Sequence, residues 1–110
     1  MRKVKPRKAV VYIAGKITGD KHYLKKFAKV ERRLRKAGYE VINPARLNAN
    51  YELEYEQYMH ICYAWIDIAD CIYFLPDWQE SNGARSENAY AKRRGKFTIH
   101  ERRQDHEKSR

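Results

Sequence analysis

The chain has 110 residues, of which 43% are hydrophobic and 13% aromatic, so it can form one domain with a buried core. No apolar run approaches the ~20 residues of a membrane-spanning helix, and we therefore expect no membrane association. The net charge of +10 indicates a nucleic-acid partner when it is taken alone. It is unevenly distributed, however, because residues 1–36 carry +12, residues 37–91 carry −7 and residues 92–110 carry +5.

The two ends of the chain differ in composition from the part between them. Residues 1–8 and 101–110 are strongly charged and predict a disordered basic arm and a charged disordered tail around a domain at residues 9–100. No signal-peptide cleavage site follows the arm, so Cys62 and Cys71 are expected to be reduced thiols in the cytoplasm. The four histidines form no ligand spacing with these cysteines, and we expect no metal site and no cofactor.

Four apolar runs predict strands, and three segments with apolar residues at spacings of three and four predict helices between them. The strands are predicted at residues 9–14, 39–42, 71–75 and 97–100, and the helices at about residues 20–37, 53–69 and 84–94. Residues 45–50 and 76–83 are predicted as loops. Asp20 is expected to cap the first helix, while Gly38 and Gly95 are expected to end the first and third.

The strands read as continuous apolar runs, which is typical of a parallel sheet covered by helices on both faces. The sequence therefore predicts an α/β fold. In such folds ligands bind at the carboxyl ends of the strands. The segments that follow the first three predicted strands, residues 15–20, 43–50 and 76–87, are the places where chemistry is expected.

The turn after the first strand, residues 15–19, has the sequence Gly-Lys-Ile-Thr-Gly. Its backbone N–H groups, with a helix N-terminus behind them, suit an anion such as phosphate, and Lys16 and Thr18 add a positive charge and a hydroxyl. The turn lacks the glycines of a dinucleotide fingerprint and the GK[ST] of a Walker loop. A plain glycine turn is therefore the alternative interpretation, and spacing alone favours it.

Residues 76–87 hold further candidates. Gly83 allows a close backbone approach, and Glu87 falls near the start of the third helix, where the helix dipole is expected to keep it ionised and suited to act as a nucleophile. The alternative is a helix-favouring glutamate behind a capping Ser81. Trp78 is a candidate for an exposed stacking or lid residue. Asp70 ends the second helix, where the dipole disfavours a carboxylate, so its position calls for an explanation.

Four segments in this order, at residues 12–19, 38–44, 66–76 and 78–87, resemble the nucleoside 2-deoxyribosyltransferase superfamily. The resemblance is closest to a branch of small, largely uncharacterised bacterial and phage proteins. It implies a flavodoxin-like α/β sandwich with a parallel sheet of four to five strands, and a homodimer. It also implies N-glycosidic chemistry on 2′-deoxynucleosides or their 5′-monophosphates, by hydrolysis or base transfer.

The resemblance assigns roles to individual positions. Glu87 matches the glutamate that attacks C1′ of the deoxyribose, and Tyr12 matches a tyrosine that helps to hold that glutamate and the sugar. Positions that match phosphate-binding side chains are Lys16, Thr18 and Ser81, and Gly83 matches a glycine that lets the sugar approach. With Asp70 as a third catalytic residue, the predicted substrate-binding set is completed by Gly15, Gly19, Asn82 and Trp78.

One position departs from the family pattern. Relatives carry an aspartate on the second helix where this chain has Cys62, and a thiol with a pKa of ~8.5 is a poor substitute for a carboxylate. Either another group supplies the proton, or catalysis is weak, or the reaction has been lost. The alternatives to an enzyme are a catalytically retired nucleotide-binding protein and an accessory protein with weak nucleic-acid binding through the arm, the first helix and the tail. For that helix, a solvated basic face is the commoner interpretation.

Overall fold

A computed structural model describes residues 7–102, which form four strands and four helices. The strands are β1 (Val10–Ala14), β2 (Glu40–Ile42), β3 (Cys71–Phe74) and β4 (Phe97–His100), and the helices are α1 (Tyr23–Lys36), α2 (Ala45–Asn50), α3 (Tyr55–Ile68) and α4 (Asn82–Arg93). A single 3₁₀ turn covers Trp78–Glu80. Most of the predicted arm and tail, residues 1–6 and 103–110, lies outside the described residues.

The four strands form one all-parallel sheet in the order β2-β1-β3-β4. This confirms the predicted α/β class and is consistent with a flavodoxin-like three-layer fold. The chain runs outward from β1 to β2 and then returns past β1 to β3, so the strand order reverses between β1 and β3. In sheets of this kind that reversal opens a crevice at the carboxyl ends of the strands.

Alternate residues of β1 face different layers of the sandwich. Val11 and Ile13 pack on the side of α1, in a core that includes Phe27 and Leu34. Tyr12 and Ala14 face α3 and α4, in a second core. Since successive side chains of a strand point to opposite faces, one buried strand supports both helical layers. This alternation aims the Tyr12 side chain at α4.

Two details of the predicted elements were wrong. Residues 45–50, predicted as a loop, form α2, because the Asn43 side chain accepts the Ala45 N–H and Ala45 is fully buried against the core. Asp20 does not cap α1, which begins at Tyr23; its carboxylate instead accepts the His22 N–H in the turn before the helix. The glycine stops are confirmed, since Gly38 and Gly95 have φ of 103° and 70° just after the helices end.

None of the helices within residues 7–102 combines the length and the apolar character needed to cross a membrane.

Close packing leaves no room for a side chain at Gly15, which directly follows β1. A Cβ added there would lie 2.6 Å from Leu75 Cδ1 and 3.0 Å from Leu75 Cβ, and Leu75 is itself only 1% exposed. We expect Gly15→Ala to lower the free energy of unfolding by about 1–3 kcal/mol through overpacking, as measured by urea denaturation. Gly83→Ala is the matched control, because its nearest neighbour, Met59 Sδ, is 3.4 Å away. Equal unfolding midpoints for the two variants would contradict this account.

Candidate functional site

A cavity of about 220 Å³ lies at the carboxyl ends of β1 and β3, next to the point where the strand order reverses. Its wall combines the turn after β1, the segment from α2 into α3, and the first two turns of α4. Of the residues predicted for substrate binding and catalysis, five come together in this wall: Gly15, Thr18, Ser81, Gly83 and Glu87. They come from segments more than sixty residues apart in the sequence.

Ser81 and Gly83 owe their places to the start of α4. Ser81 is the N-cap, and its Oγ accepts the Ala84 N–H at 3.0 Å. The helix therefore begins two residues before the predicted position, and Gly83 lies in its first turn against the cavity. Both interpretations of Ser81 made from the sequence are compatible with this geometry, because the same side chain caps the helix and lines the cavity.

Glu87 is the one charged residue in the buried core of residues 7–102, with 5% of its surface exposed. It is the sixth residue of α4 and faces the cavity. The hydroxyl of Tyr12, a fully buried side chain of β1, donates a hydrogen bond to Glu87 Oε2 at 2.5 Å. The partnership between these two residues that the resemblance implied is thus present as a direct contact.

Burial raises the pKa of Glu87 to about 7, although hydrogen bonds from Tyr12 and from the Cys62 thiol act in the opposite direction. The expectation that the helix dipole keeps this carboxyl ionised was wrong. Glu87 lies in the second turn of α4, where the dipole is weak, and the loss of hydration outweighs it. Near neutral pH the carboxyl therefore exists in both protonation states.

Cys62 lies beside this carboxyl on α3 and is fully buried. Burial, and then the charge of Glu87, raise the pKa of the thiol to about 12, so the thiol is neutral at physiological pH and hydrogen-bonds to Glu87. It cannot take over the acid chemistry of the aspartate that the sequence resemblance implies at this position. Both Cys62 and Cys71 are unpaired thiols.

Tyr58 is a member of the cavity wall that the sequence analysis did not select as a site residue. It lies one turn before Cys62 on α3, lines the cavity, and has a pKa raised above its ordinary value by burial and by the negative charge of Glu87. The i, i+4 spacing of Tyr58 and Cys62 places both on one helix face. That spacing was the available signal, but it does not distinguish a cavity from a core.

Within residues 7–102, no lysine or arginine contributes to the cavity wall. Lys16, predicted to bind phosphate, has its Nζ 3.7 Å from Glu80 Oε1 and its backbone N–H bonded to Asp77. Gly19 is exposed in a turn with φ of 86° and does not line the cavity. Asn82 lines a neighbouring hollow, with its side-chain oxygen bonded to Arg85.

Asp70 does not reach the site, because it precedes β3 and so lies at the amino ends of the strands, opposite the cavity. Its carboxylate accepts the Val10 N–H at 2.8 Å and pairs with the Arg7 guanidinium at 3.0 Å. The Arg7 bond, followed by the Val10 bond, lowers the pKa of Asp70. The predicted catalytic role of Asp70 is therefore corrected to a structural one, which joins the start of β1 to the start of β3.

Trp78 also lies in a different environment from the one that the sequence predicts. Its ring is half-buried and packs on Phe74 and His100, with ring centroids 5.4 and 4.9 Å apart. It does not line the cavity. The prediction of an exposed stacking or lid residue was wrong, because the 3₁₀ turn after β3 folds the indole back against the sheet.

One ammonium group holds the two turns beside the cavity together, and the sequence analysis missed it. Lys26 Nζ binds the carboxylates of Asp20 and Asp77, the latter at 2.5 Å, and donates to the Lys16 carbonyl at 2.9 Å. It therefore connects the turn after β1 with the segment after β3. Among residues 7–102, no group of three or more His, Cys, Asp and Glu side chains is placed to hold a metal ion.

A family model described as a domain of unknown function, DUF4406, matches residues 9–100. The chain belongs to the DUF4406 family. The matched range contains every described strand and helix and every residue of the cavity wall. No protein with a curated description matches the chain.

Because the pKa of Glu87 is raised, the stability of this DUF4406 protein should depend on pH. The pKa rises from 4.5 to about 7 on folding, so the folded state binds the proton more tightly and its stability falls as pH rises through that window. We expect a loss of about 3 kcal/mol in the free energy of unfolding between pH 4 and pH 8 that the Glu87→Gln variant lacks. Urea denaturation across this pH range measures both proteins, and parallel pH profiles would contradict the prediction.

Proposed function

We propose that this protein cleaves the N-glycosidic bond of 2′-deoxynucleosides, with Glu87 as the nucleophile. The observation that carries the proposal is a buried glutamate in the wall of a cavity at the carboxyl ends of the strands, bonded to a buried tyrosine hydroxyl. A carboxyl with a pKa near neutrality in such a cavity is a functional-site signature. The sequence resemblance to the nucleoside 2-deoxyribosyltransferase superfamily supports the choice of reaction.

The reaction runs in two displacement steps. The Glu87 carboxylate attacks C1′ of the deoxyribose, and the electron pair of the C1′–N bond leaves with the base, which takes up a proton. Water then attacks C1′, loses a proton and releases the sugar together with the Glu87 carboxylate. A second base in place of water gives transfer rather than hydrolysis. In both steps the carboxylate also stabilises the positive charge that develops at C1′.

Tyr12 is a positioning residue in this scheme. Its hydroxyl fixes one carboxyl oxygen, and its hydrogen bond, like that of the Cys62 thiol, favours the ionised form against the effect of burial. Both groups therefore keep a usable fraction of Glu87 in the nucleophilic state near neutral pH. Neither group exchanges its own proton readily, because burial raises the pKa of each.

The electrostatics of the cavity favour an uncharged nucleoside over a 5′-monophosphate. The groups of the wall beside Glu87 are hydroxyls, an amide and apolar side chains, and no cation among residues 7–102 lines it. The basic groups near its mouth have partners already: Lys16 faces Glu80, Lys26 is bound by two carboxylates, and Arg85 binds the Gln79 carbonyl. A phosphate would enter without a counter-charge and close to acidic side chains.

Nucleotide binding without turnover is the second candidate, and Cys62 is the observation that favours it. The wall has no carboxyl other than Glu87 within the described residues, so no acid of suitable pKa faces the departing base. Under this alternative the protein is thermally stabilised by deoxynucleosides but releases no base. The homodimer and the cytoplasmic location stay predictions from the resemblance and from the thiols.

Replacing Glu87 separates these alternatives. We expect wild-type protein to release free base from at least one 2′-deoxynucleoside, and Glu87→Gln to reduce the rate at least a thousandfold while still binding substrate.

Since the nucleophile must be ionised, kcat/KM should rise with pH and level off above about pH 7. Tyr12→Phe removes a bond that lowers this pKa, so its profile should shift to higher pH. Chromatographic detection of the base measures all three, and binding without release from wild type would establish the second candidate instead.

Substrate charge is tested with matched pairs. We expect kcat/KM for a deoxynucleoside to exceed that for its own 5′-monophosphate by about tenfold or more, because a desolvated phosphate finds no cation in the wall. Thr18→Lys, which places a cation in the wall, should narrow this ratio, and Thr18→Gln is the neutral control of comparable length. A wild-type preference for the monophosphate would overturn the assignment of an uncharged substrate.

A further inference from the structure

Four basic side chains form a straight row along the exposed face of α1. Lys25, Lys29, Arg32 and Lys36 are all exposed, and their spacings of four, three and four residues place them on one line of the helix. At 1.5 Å per residue the row is about 16 Å long. We call these four residues the α1 row.

The members of the α1 row have no acidic partner among residues 7–102. The other basic residues of the helix do: Lys26 binds two aspartates, Arg33 lies 3.6 Å from Glu101, and Arg35 lies 2.8 Å from Glu31. A shallow hollow beside the row is lined by basic side chains alone: Lys29, Arg32, Arg33, Arg35 and Lys36. Because no described carboxylate pairs with these four side chains, the row is a surface with unbalanced positive charge. Like charges at these spacings repel each other.

The opposite face of α1 limits what this surface can bind. Phe27, Val30 and Leu34 are buried against the sheet, so α1 has no apolar face free to enter a bilayer as an interfacial helix does. Within residues 7–102, no aromatic side chain lines the hollow beside the row, whereas surfaces for single-stranded nucleic acid combine positive charge with aromatic rings that stack on bases. What the row offers is a rigid line of point charges, which complements a regular line of phosphates.

We propose that the α1 row binds the phosphate backbone of double-helical nucleic acid without reading its sequence. One strand of a duplex presents a phosphate every 3.4 Å along the axis, so the row spans about five base pairs of backbone. The sheet separates this surface from Glu87, since α1 packs on one face and α4 on the other. The binding is therefore independent of the glycosidic activity proposed above and would localise the protein on nucleic acid.

The test uses the full chain and a fluorescent 30-base-pair DNA duplex, with anisotropy measured from 50 to 200 mM salt. The stripped variant carries Lys25→Gln, Lys29→Gln, Arg32→Gln and Lys36→Gln. Its control carries Lys8→Gln, Lys92→Gln, Arg93→Gln and Arg94→Gln, which are exposed positions outside α1 and remove the same net charge. Circular dichroism confirms that both variants are folded.

We expect wild type to bind the duplex, and the stripped variant to bind about tenfold more weakly or worse at 0.1 M salt. The slope of log affinity against log salt should fall in magnitude by about 3 to 4 in the stripped variant, because four phosphate contacts are lost. The control should keep most of the affinity and slope. Equal losses in the two variants, no wild-type binding, or tighter binding of a single-stranded oligonucleotide or of anionic lipid vesicles would each overturn the proposal.

Discussion

The hydrogen bond between the Tyr12 hydroxyl and the Glu87 carboxyl is the contact on which the site depends. It joins a central strand to α4 across the interface of two layers, and both side chains are buried. Burying an ionisable carboxyl costs free energy that is large beside the 5–15 kcal/mol by which a domain of this size is stable. A glutamine or a leucine at the same position would avoid the titration and much of the cost. The sheet nevertheless aims a tyrosine at this carboxyl, and α3 adds a thiol, which supports the proposal that the ionisable group serves chemistry rather than packing.

The fold was largely predictable because its signals are local. Buried parallel strands read as apolar runs, the stripe of α1 recurs at helical spacing, and Gly38 and Gly95 end their helices with backbone conformations that favour glycine. The failures have a tertiary cause. Six residues are too few to show periodicity, so α2 depends on the Asn43 bond and on the pocket in the core that receives Ala45. The turn at Asp20 likewise depends on Lys26 and Asp77, of which the latter lies far away in the sequence.

The site was predictable where the position on a strand decides the geometry. Residues that follow β1 and β3 must meet at one edge of a parallel sheet, and five of the predicted residues do meet there. The same rule excludes Asp70, since a residue just before a strand lies at the opposite edge. The protonation of Glu87 could not be read from the sequence, because the helix dipole is a local property whereas burial is set by Tyr12 and Cys62. Trp78 shows the same limit, since only the folded turn decides whether an indole in a loop faces solvent or the sheet.

The distribution of charge in space differs from its distribution along the chain, and this changes what the net charge of +10 means. Residues 1–36 contain both the lysines nearest the cavity and those of α1, but the fold treats them differently. Lys16 and Lys26 face carboxylates of the acidic middle of the chain, which balance their charge, and no cation of residues 7–102 lines the cavity wall. The α1 row has no such partners among residues 7–102 and projects from the other face of the sheet. The unpaired positive charge of the α1 row therefore lies away from the candidate active site, and the proposed contact with a duplex would not select the small molecule that enters the cavity.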